Sequence, residues 1–166
     1  MTTVAGTVGV NAFADGRALS ANFSQLFGLA TDTTGGGGGG RVFIADKDNH
    51  RVRVYSPHAP AAGGGGGSEA TVATVAGNGR AVFADSAAGA NASFASPSGV
   101  AVDAAGNILV ADRGNHRIRR ISASVSASPL YATTTLAGTG ALGSTDGLGV
   151  SVAAFNQARA KRQGVV

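Results

Sequence analysis

Two segments of this 166-residue chain match each other over eleven positions, and this internal repeat restricts the fold more than any other feature of the sequence. Residues 45–55 align with residues 111–121, which lie 66 positions later. Three shorter segments also match one another, at residues 3–7, 74–78 and 135–139. The chain is therefore expected to be an array of one repeated structural unit.

The spacing between equivalent segments shortens along the chain. Residues 23–32 recur 71 positions later, whereas residues 45–55 recur after 66 positions and residues 74–78 after 61. The two steps coincide with glycine tracts at residues 35–40 and 63–67. We interpret each tract as a five-residue expansion of a connection, which is expected to be a flexible spacer. Neither tract is followed by the Gly-Lys-Ser/Thr of a phosphate-binding loop.

Each copy of the repeat contains four short segments with the pattern of β-strands. In the second copy, an apolar strand ends at the turn 104–107, and the next strand is continuously apolar, as expected for a strand covered on both faces. Residues 112–115 then supply turn-forming Asp, Gly and Asn. Four antiparallel strands per repeat predict an all-β chain of β-propeller blades. The strands are expected at residues 28–32, 41–46, 51–55, 70–76, 99–103, 107–112, 117–122 and 131–137.

The motifs of both copies resemble the NHL-repeat family, which is named for an Asn-His-Leu motif. The matching residues are 97–103, 106–112 and 115–118 in the second copy, and 27–32, 42–46 and 49–52 in the first. The first copy departs from the consensus at Gln25, Leu26 and Thr31, and both copies carry Arg at the third position of the motif. The resemblance implies blades of a six-bladed, TolB-like propeller. Similar propellers include protein- and RNA-binding modules, lactonase-like hydrolases and an amidating lyase.

The blade count predicts an incomplete propeller of about two four-stranded antiparallel blades plus a flanking strand. A closed propeller has roughly 4–8 blades, so closure is expected to require other repeats or other chains. The simplest interpretation is a fragment of a longer repeat protein. The expected parts are an outer strand of a preceding blade (residues 3–5) and a connecting loop within residues 1–27, a first blade at 28–77, a loop and second blade at 78–139, and the start of an aborted third repeat with a basic tail at 140–166.

The charge balance does not by itself indicate a nucleic-acid-binding protein. The net charge is +4, but Arg159, Lys161 and Arg162 lie together near the C-terminus, and without them 10 cations face 9 acids. A basic tail of this kind is usually solvated. The chain has no cysteine, so no disulfide or thiolate metal site is expected. No signal peptide or transmembrane segment is recognised; no membrane association is expected, and the compartment is left open, with the cytoplasm favoured.

The order of the strands predicts which loops share a face. The Asn-His-Arg turns are expected beside the connections 6–28 and 77–98, with both glycine tracts on the opposite face. The first face is the candidate binding surface, and a protein is preferred to RNA as its partner, because RNA recognition needs aromatic stacking platforms. Its positive charge is expected to be interrupted by Asp46, Asp48 and Asp112. The candidate residues are Lys47, His50, Arg51, Arg113, His116 and Arg117.

No catalytic residue, metal ligand or cofactor is predicted. His50 and His116 are interpreted as structural parts of a turn, because no set of converging N and O ligands accompanies them. A remnant of a lactonase- or lyase-like enzyme, inactive alone, is a third alternative after protein and RNA binding. The aspartates interpreted as turn caps are Asp32, Asp46, Asp103 and Asp112. The aromatic residues expected to plug the space under the loops are Phe13, Phe23, Phe83 and Phe94.

Overall fold

The computed structural model describes residues 2–32, 40–57, 69–122 and 131–149, together with Ala153 and Phe155. Within these residues the chain forms two antiparallel sheets, which are the two blades. The first sheet has the order β1-β5-β4-β3-β2 and the second has the order β6-β7-β8-β9. The strands are β1 (Gly16–Arg17), β2 (Leu26–Asp32), β3 (Arg41–Asp46), β4 (Arg51–Ser56), β5 (Thr71–Ala76), β6 (Pro97–Val102), β7 (Ile108–Asp112), β8 (Arg117–Ile121) and β9 (Thr133–Ala137).

The structure confirms the predicted all-β architecture. All eight strands expected from the repeat are present, each with its ends within two residues of the expected positions, and consecutive strands pair antiparallel. Three short 3₁₀ turns lie at Ala18–Ser20, Gly89–Asn91 and Arg113–Asn115. The β6–β7 turn is held by Asp103, whose carboxylate accepts hydrogen bonds from the Ala105 and Asn107 N–H groups. The turn-capping role predicted for this aspartate is therefore confirmed.

The flanking strand lies elsewhere than expected. Residues 3–5 are outside any strand, and the two-residue strand β1 instead pairs with the outer strand β5 at Thr71 and Val72. A strand forms only where a neighbour satisfies its backbone groups, and the described residues offer residues 3–5 no such neighbour. The assignment of residues 3–5 to a preceding blade therefore stays a prediction.

The core of the protein lies between the two sheets. Phe43, Val52 and Val75 of the first blade share one buried cluster with Val110 and Ile121 of the second. Along the innermost strands the backbones themselves meet: a Cβ at Gly28 of β2 would lie 2.8 Å from the Gly99 Cα of β6. Only glycine permits this approach, and it brings the inner strands of adjacent blades into direct contact.

The connection that leads into each blade has a recurring backbone hydrogen bond, and an equivalent bond is found after β9. The Thr7 N–H donates to the Ala21 carbonyl and the Asn78 N–H to that of Ala92, at 3.0 and 2.9 Å. A third connection follows β9, where the Thr139 N–H donates to the Ala153 carbonyl at 2.9 Å. This bond after β9 is therefore equivalent to the bonds in the two connections before it, and the start of a third repeat there stays a prediction.

The glycine tracts lie outside the described residues, apart from Gly40. Deleting five residues from each tract is expected to leave the thermal stability unchanged or to raise it slightly, because a shorter loop closes at a lower entropic cost of a few tenths of a kcal/mol. Thermal unfolding followed by circular dichroism measures this. A matched deletion of residues 11–15 should instead lower the melting temperature clearly, and equal losses in both variants would show that the tracts contribute to folding.

Candidate binding face

A fully buried arginine lies in the third strand of each blade. Arg53 in β4 and Arg119 in β8 both have no exposed side-chain surface. Arg53 Nη1 lies 2.7 Å from Asp46 Oδ2, and Arg119 Nη1 lies 2.8 Å from Asp112 Oδ2. Both aspartates are themselves fully buried. Burial of a charged pair is tolerated only when both partners are satisfied, so each blade is organised around one fully buried ion pair.

A second aspartate reaches each buried arginine from the preceding connection. Asp15 Oδ1 accepts from Arg53 Nε at 2.9 Å, and Asp85 Oδ1 accepts from Arg119 Nε at the same distance. The other oxygen of each carboxylate accepts from the backbone N–H of the outer strand, at Thr74 in the first blade and Thr135 in the second. Each connection is thereby tied to the third and fourth strands of the blade that follows it.

The same aspartates that pair with the arginines also hold the turn between the second and third strands. Asp46 accepts from the Asn49 side chain at 2.9 Å and from the Ser24 N–H at 2.8 Å. Asp112 accepts equivalently from Asn115 and from the Ala95 N–H, each at 2.8 Å. Burial raises the pKa of Asp112, while these two donors and Arg119 oppose that rise. The prediction that these aspartates cap turns is confirmed, although they do more than that.

Arginine and phenylalanine side chains alternate in a stack over each blade. The Arg51 and Arg53 guanidinium carbons lie 3.9 and 4.8 Å from the centre of the Phe13 ring. Phe83 is covered in the same way by Arg117 and Arg119, at 3.9 and 4.8 Å. Cation–π contact stabilises such stacks. Two guanidinium groups therefore lie against each of these rings.

Phe13 and Phe83 are therefore not the buried plugs that the sequence suggested, since they are 41% and 42% exposed. Phe94 does fill the predicted role and is fully buried, and Phe23 is partly buried against the core of the first blade. In each connection, the ring that precedes the 3₁₀ turn is exposed, and the ring that follows it is buried or partly buried.

Two of the predicted face residues, Arg51 and Arg117, are held by the fold. Arg51 donates to the carbonyls of Asn49 and Asn78, and Arg117 donates to those of Asn115 and Thr139. Burial and the nearby Arg53 charge lower the pKa of Arg51. Each of these arginines thus joins its own turn to the connection that leads into the next blade.

His50 joins the two blades directly. Its Nδ1 accepts a hydrogen bond from the Ser96 N–H at 3.1 Å, so its neutral form carries the proton on Nε2. His50 and His116 both adopt a left-handed backbone conformation with φ of 53°, which few non-glycine residues adopt. His116 also has an interaction partner. The interpretation of His50 as a structural histidine agrees with this geometry.

The structure brings the predicted loops together on one side of the sheets, which we call the connection face: the turns 47–50 and 113–116 with the connections 6–25 and 77–96. The Asp48 N–H donates to the Ser24 carbonyl, and the Gly114 N–H to the Ala95 carbonyl. The six predicted residues form two clusters on this face, one per blade. Lys47 contacts Gln25 and Asp48 through its ammonium group.

The charge of the connection face differs from the expectation in one respect. Asp46 and Asp112 were expected to interrupt its positive charge, but both are fully buried and paired with arginines. Asp48 alone of the three is exposed. Lys47 and Arg113 are partly exposed, and Arg51 and Arg117 lie against the exposed rings of Phe13 and Phe83. The face therefore offers cations next to apolar surface.

Two features are absent from the described residues. These residues contain no group of three or more His, Cys, Asp or Glu side chains that could hold a metal ion. No helix in the described ranges is long and apolar enough to cross a membrane.

Comparison with known proteins identifies the repeat. The NHL-repeat family model matches residues 94–121. No protein of curated function matches the chain. Among solved structures, an auxiliary nutrient binding protein from Bacteroides thetaiotaomicron is similar with a TM-score of 0.53 and 22% identity, over 70% of this chain and 27% of that one. At that identity the likeness concerns the fold alone.

Two further solved structures are similar at lower scores. A protein of unknown function from Bacteroides thetaiotaomicron has a TM-score of 0.47 and 20% identity, over 78% of this chain and 25% of that one. A luciferin-regenerating enzyme has a TM-score of 0.41 and 19% identity, over 71% of this chain and 32% of that one. The chain thus spans between a quarter and a third of the length of the structures that it resembles.

Proposed function

From the premise that this chain is a stretch of NHL-repeat β-propeller, we propose that its connection face binds a segment of another protein that carries acidic and apolar side chains. The observation that carries the proposal is the pairing of Asp46 and Asp112 with buried arginines. With these carboxylates neutralised inside the blades, the cations at the surface are opposed by the exposed carboxylates of Asp48, Asp15 and Asp85. The proposal assigns binding without catalysis and without a cofactor.

The apolar part of the face supports a protein partner. Val82 and Phe83 are 51% and 42% exposed, and they lie in the connection that also carries Asp85. Val10 and Phe13 are exposed in the equivalent connection of the first blade. Apolar side chains beside cations suit a peptide that combines leucine or aromatic anchors with Asp or Glu. The same pattern occurs twice, once per blade, so an extended segment is favoured.

The aromatic residues argue against single-stranded RNA. Base recognition uses the open face of an aromatic ring as a stacking platform. Arg51 and Arg53 both lie against the Phe13 ring, and Arg117 and Arg119 against the Phe83 ring. A base would have to displace a guanidinium that already donates to backbone carbonyls.

The test is selection from a phage-displayed library of random peptides, followed by affinity measurement on the selected peptides. We expect acidic and apolar residues to be enriched, and the double substitution Lys47→Glu and Arg113→Glu to weaken binding at least tenfold. Arg113 is a better probe than Arg117, because Arg117 is tied to the Asn115 and Thr139 carbonyls and its substitution would also disturb the fold.

The matched control is Arg17→Glu, a charge reversal at the exposed Arg17–Glu69 pair on β1, which should leave affinity unchanged. A mixed-sequence single-stranded RNA is measured alongside. RNA binding that falls steeply with salt, as counterion release requires, together with no peptide enrichment, would contradict the proposal. So would equal peptide affinities in the double variant and the control.

A further inference from the structure

Each blade presents one sheet face to the other blade and has no blade against its opposite face in the described structure. We call the side of a sheet that meets the preceding blade its front and the other side its back. The core between the blades joins the back of the first blade, through Phe43, Val52 and Val75, to the front of the second, through Val100 and Val110. A front and a back from this chain therefore already form a stable contact.

One front and one back have no blade against them in the described structure. On the front of the first blade, Leu29 occupies the position of Val100 in the repeat, but it is 65% exposed where Val100 is 8% exposed. On the back of the second blade, Leu136 occupies the position of Val75, at 46% exposed against 3%. That back also has a cleft of about 110 Å³ lined by residues that include Leu109, Ala111 and Ile118.

We propose that a second copy of this chain docks head to tail, with the front of its first blade on the back of the second blade of the first copy. The contact between the two blades within one chain is the template for this docking. The two free faces also differ from the faces that meet inside the chain, and the two differences complement each other. Arg120 on the free back replaces Val54, and Tyr55 on the free front replaces Ile121, so the docked copies would place an arginine near a tyrosine ring.

Docking must replace the connection that now follows β9. The incoming copy brings its own connection, residues 6–23, and this is equivalent to the connection that begins at Gly138 and includes Asp146, so only one can lie at the junction. The incoming connection is tied to its blade by Asp15 and Arg53. Asp146 is the equivalent of Asp15, and no ion pair of Asp146 is found among the described residues. The junction therefore keeps residues 6–23 and releases the connection that begins at Gly138.

The contact joins unlike faces, so it propagates until a ring closes. Three chains of two blades give a six-bladed ring, within the usual range of 4–8 blades. Sedimentation velocity on the full chain should then show a particle of three times 16.1 kDa, about 48 kDa, in a concentration-dependent equilibrium with the single chain. Open chains of the same contact would appear as larger particles.

Two single substitutions test the head-to-tail geometry. Leu29→Glu damages the front and Leu136→Glu damages the back, so each variant alone should sediment as a single chain. In an equal mixture, the intact back of the Leu29→Glu chain meets the intact front of the Leu136→Glu chain. The mixture should therefore form a pair of chains and nothing larger, which a symmetric contact would not do. Circular dichroism checks that both variants stay folded.

The control is Ala87→Glu, the same introduction of charge at an exposed residue outside both free faces, which should leave the assembly unchanged. Phe155→Ser should strengthen association several-fold, because Phe155 lies against Gly138 in the connection that docking releases. A wild-type chain that sediments as a monomer at every concentration reached, association that persists in both leucine variants, or a mixture that stays monomeric would each overturn the proposal. Unchanged association in Phe155→Ser would overturn the release step.

Discussion

Replacement of Arg119 by methionine is expected to lower the free energy of unfolding by about 3–5 kcal/mol, because it leaves the buried Asp112 carboxylate without its cation. Both side chains are fully buried, with Nη1 and Oδ2 2.8 Å apart. Arg119 also donates to the Ala84 and Ser93 carbonyls, which would lose these hydrogen bonds. Urea denaturation followed by circular dichroism measures the loss, which is large against the 5–15 kcal/mol of a typical domain.

The loss should depend on pH in a defined direction. Burial already raises the pKa of Asp112, and Arg119 is among the groups that oppose this rise, so its removal raises the pKa further. The folded variant then holds a proton more tightly than the unfolded chain does, and its stability falls as the pH rises from the unfolded pKa toward the folded one. The deficit relative to the wild type should therefore shrink as the pH is lowered toward about 4.

The chain offers both an equivalent substitution in the other blade and a control substitution on the same strand. Arg53→Met removes the equivalent arginine from the first blade and should cost a similar amount. Arg120→Met changes the neighbouring exposed arginine on the same strand, and its effect should stay within about 0.5 kcal/mol, as is usual for surface positions. Equal effects of Arg119→Met and Arg120→Met would show that the buried ion pair does not hold the blade.

Gly28→Ala should destabilise the contact between the blades by about 1–3 kcal/mol, the usual cost of an added methyl group in a packed interior. The new Cβ would lie 2.8 Å from the Gly99 Cα and 3.0 Å from the Ser98 carbonyl oxygen. Both are backbone atoms, so they cannot move away as a side chain would, and the inner strands must separate. Urea denaturation gives the cost, and faster amide exchange at Val100 and Val102 would locate it.

Leu29→Ala is the matched control for this substitution, in the same strand. Its side chain lies on the other side of β2 and is 65% exposed, so truncation should have little effect at concentrations where the chain is a monomer. If Gly28→Ala is as stable as Leu29→Ala, the close approach of the inner strands is not a feature of the protein in solution.

The strands could be predicted because their signals are local. Apolar segments bounded by Gly, Asn and Asp recur in two copies, and the second copy checks the first. The segment 3–5 has the same pattern as β5 and β9 but forms no strand. A strand also needs a neighbouring strand with which to pair, and the local sequence does not show whether one is present.

The buried ion pairs could not be found from the local sequence. Arg53 and Arg119 alternate with apolar residues in strands where charge normally marks the exposed side, and the groups that cover them come from far along the chain. Asp15 is 38 residues from Arg53, and Asp85 is 34 residues from Arg119. One signal was present: each arginine recurs with its aspartate, Asp46 or Asp112, in the eleven-position match, and shared charge at both positions suggests a shared partner.

Each connection is bonded to the arginine of the sheet that follows it, and these bonds define the boundaries of the repeating unit. A sheet moved alone into another protein would bring Arg119 without Asp85, and the outer strand would lose the acceptor of its Thr135 N–H. The transferable cassette is therefore the connection together with the sheet after it, residues 77–137. An engineer who lengthens or shortens the array should join cassettes at Gly77 and Gly138, where equivalent backbone bonds already repeat.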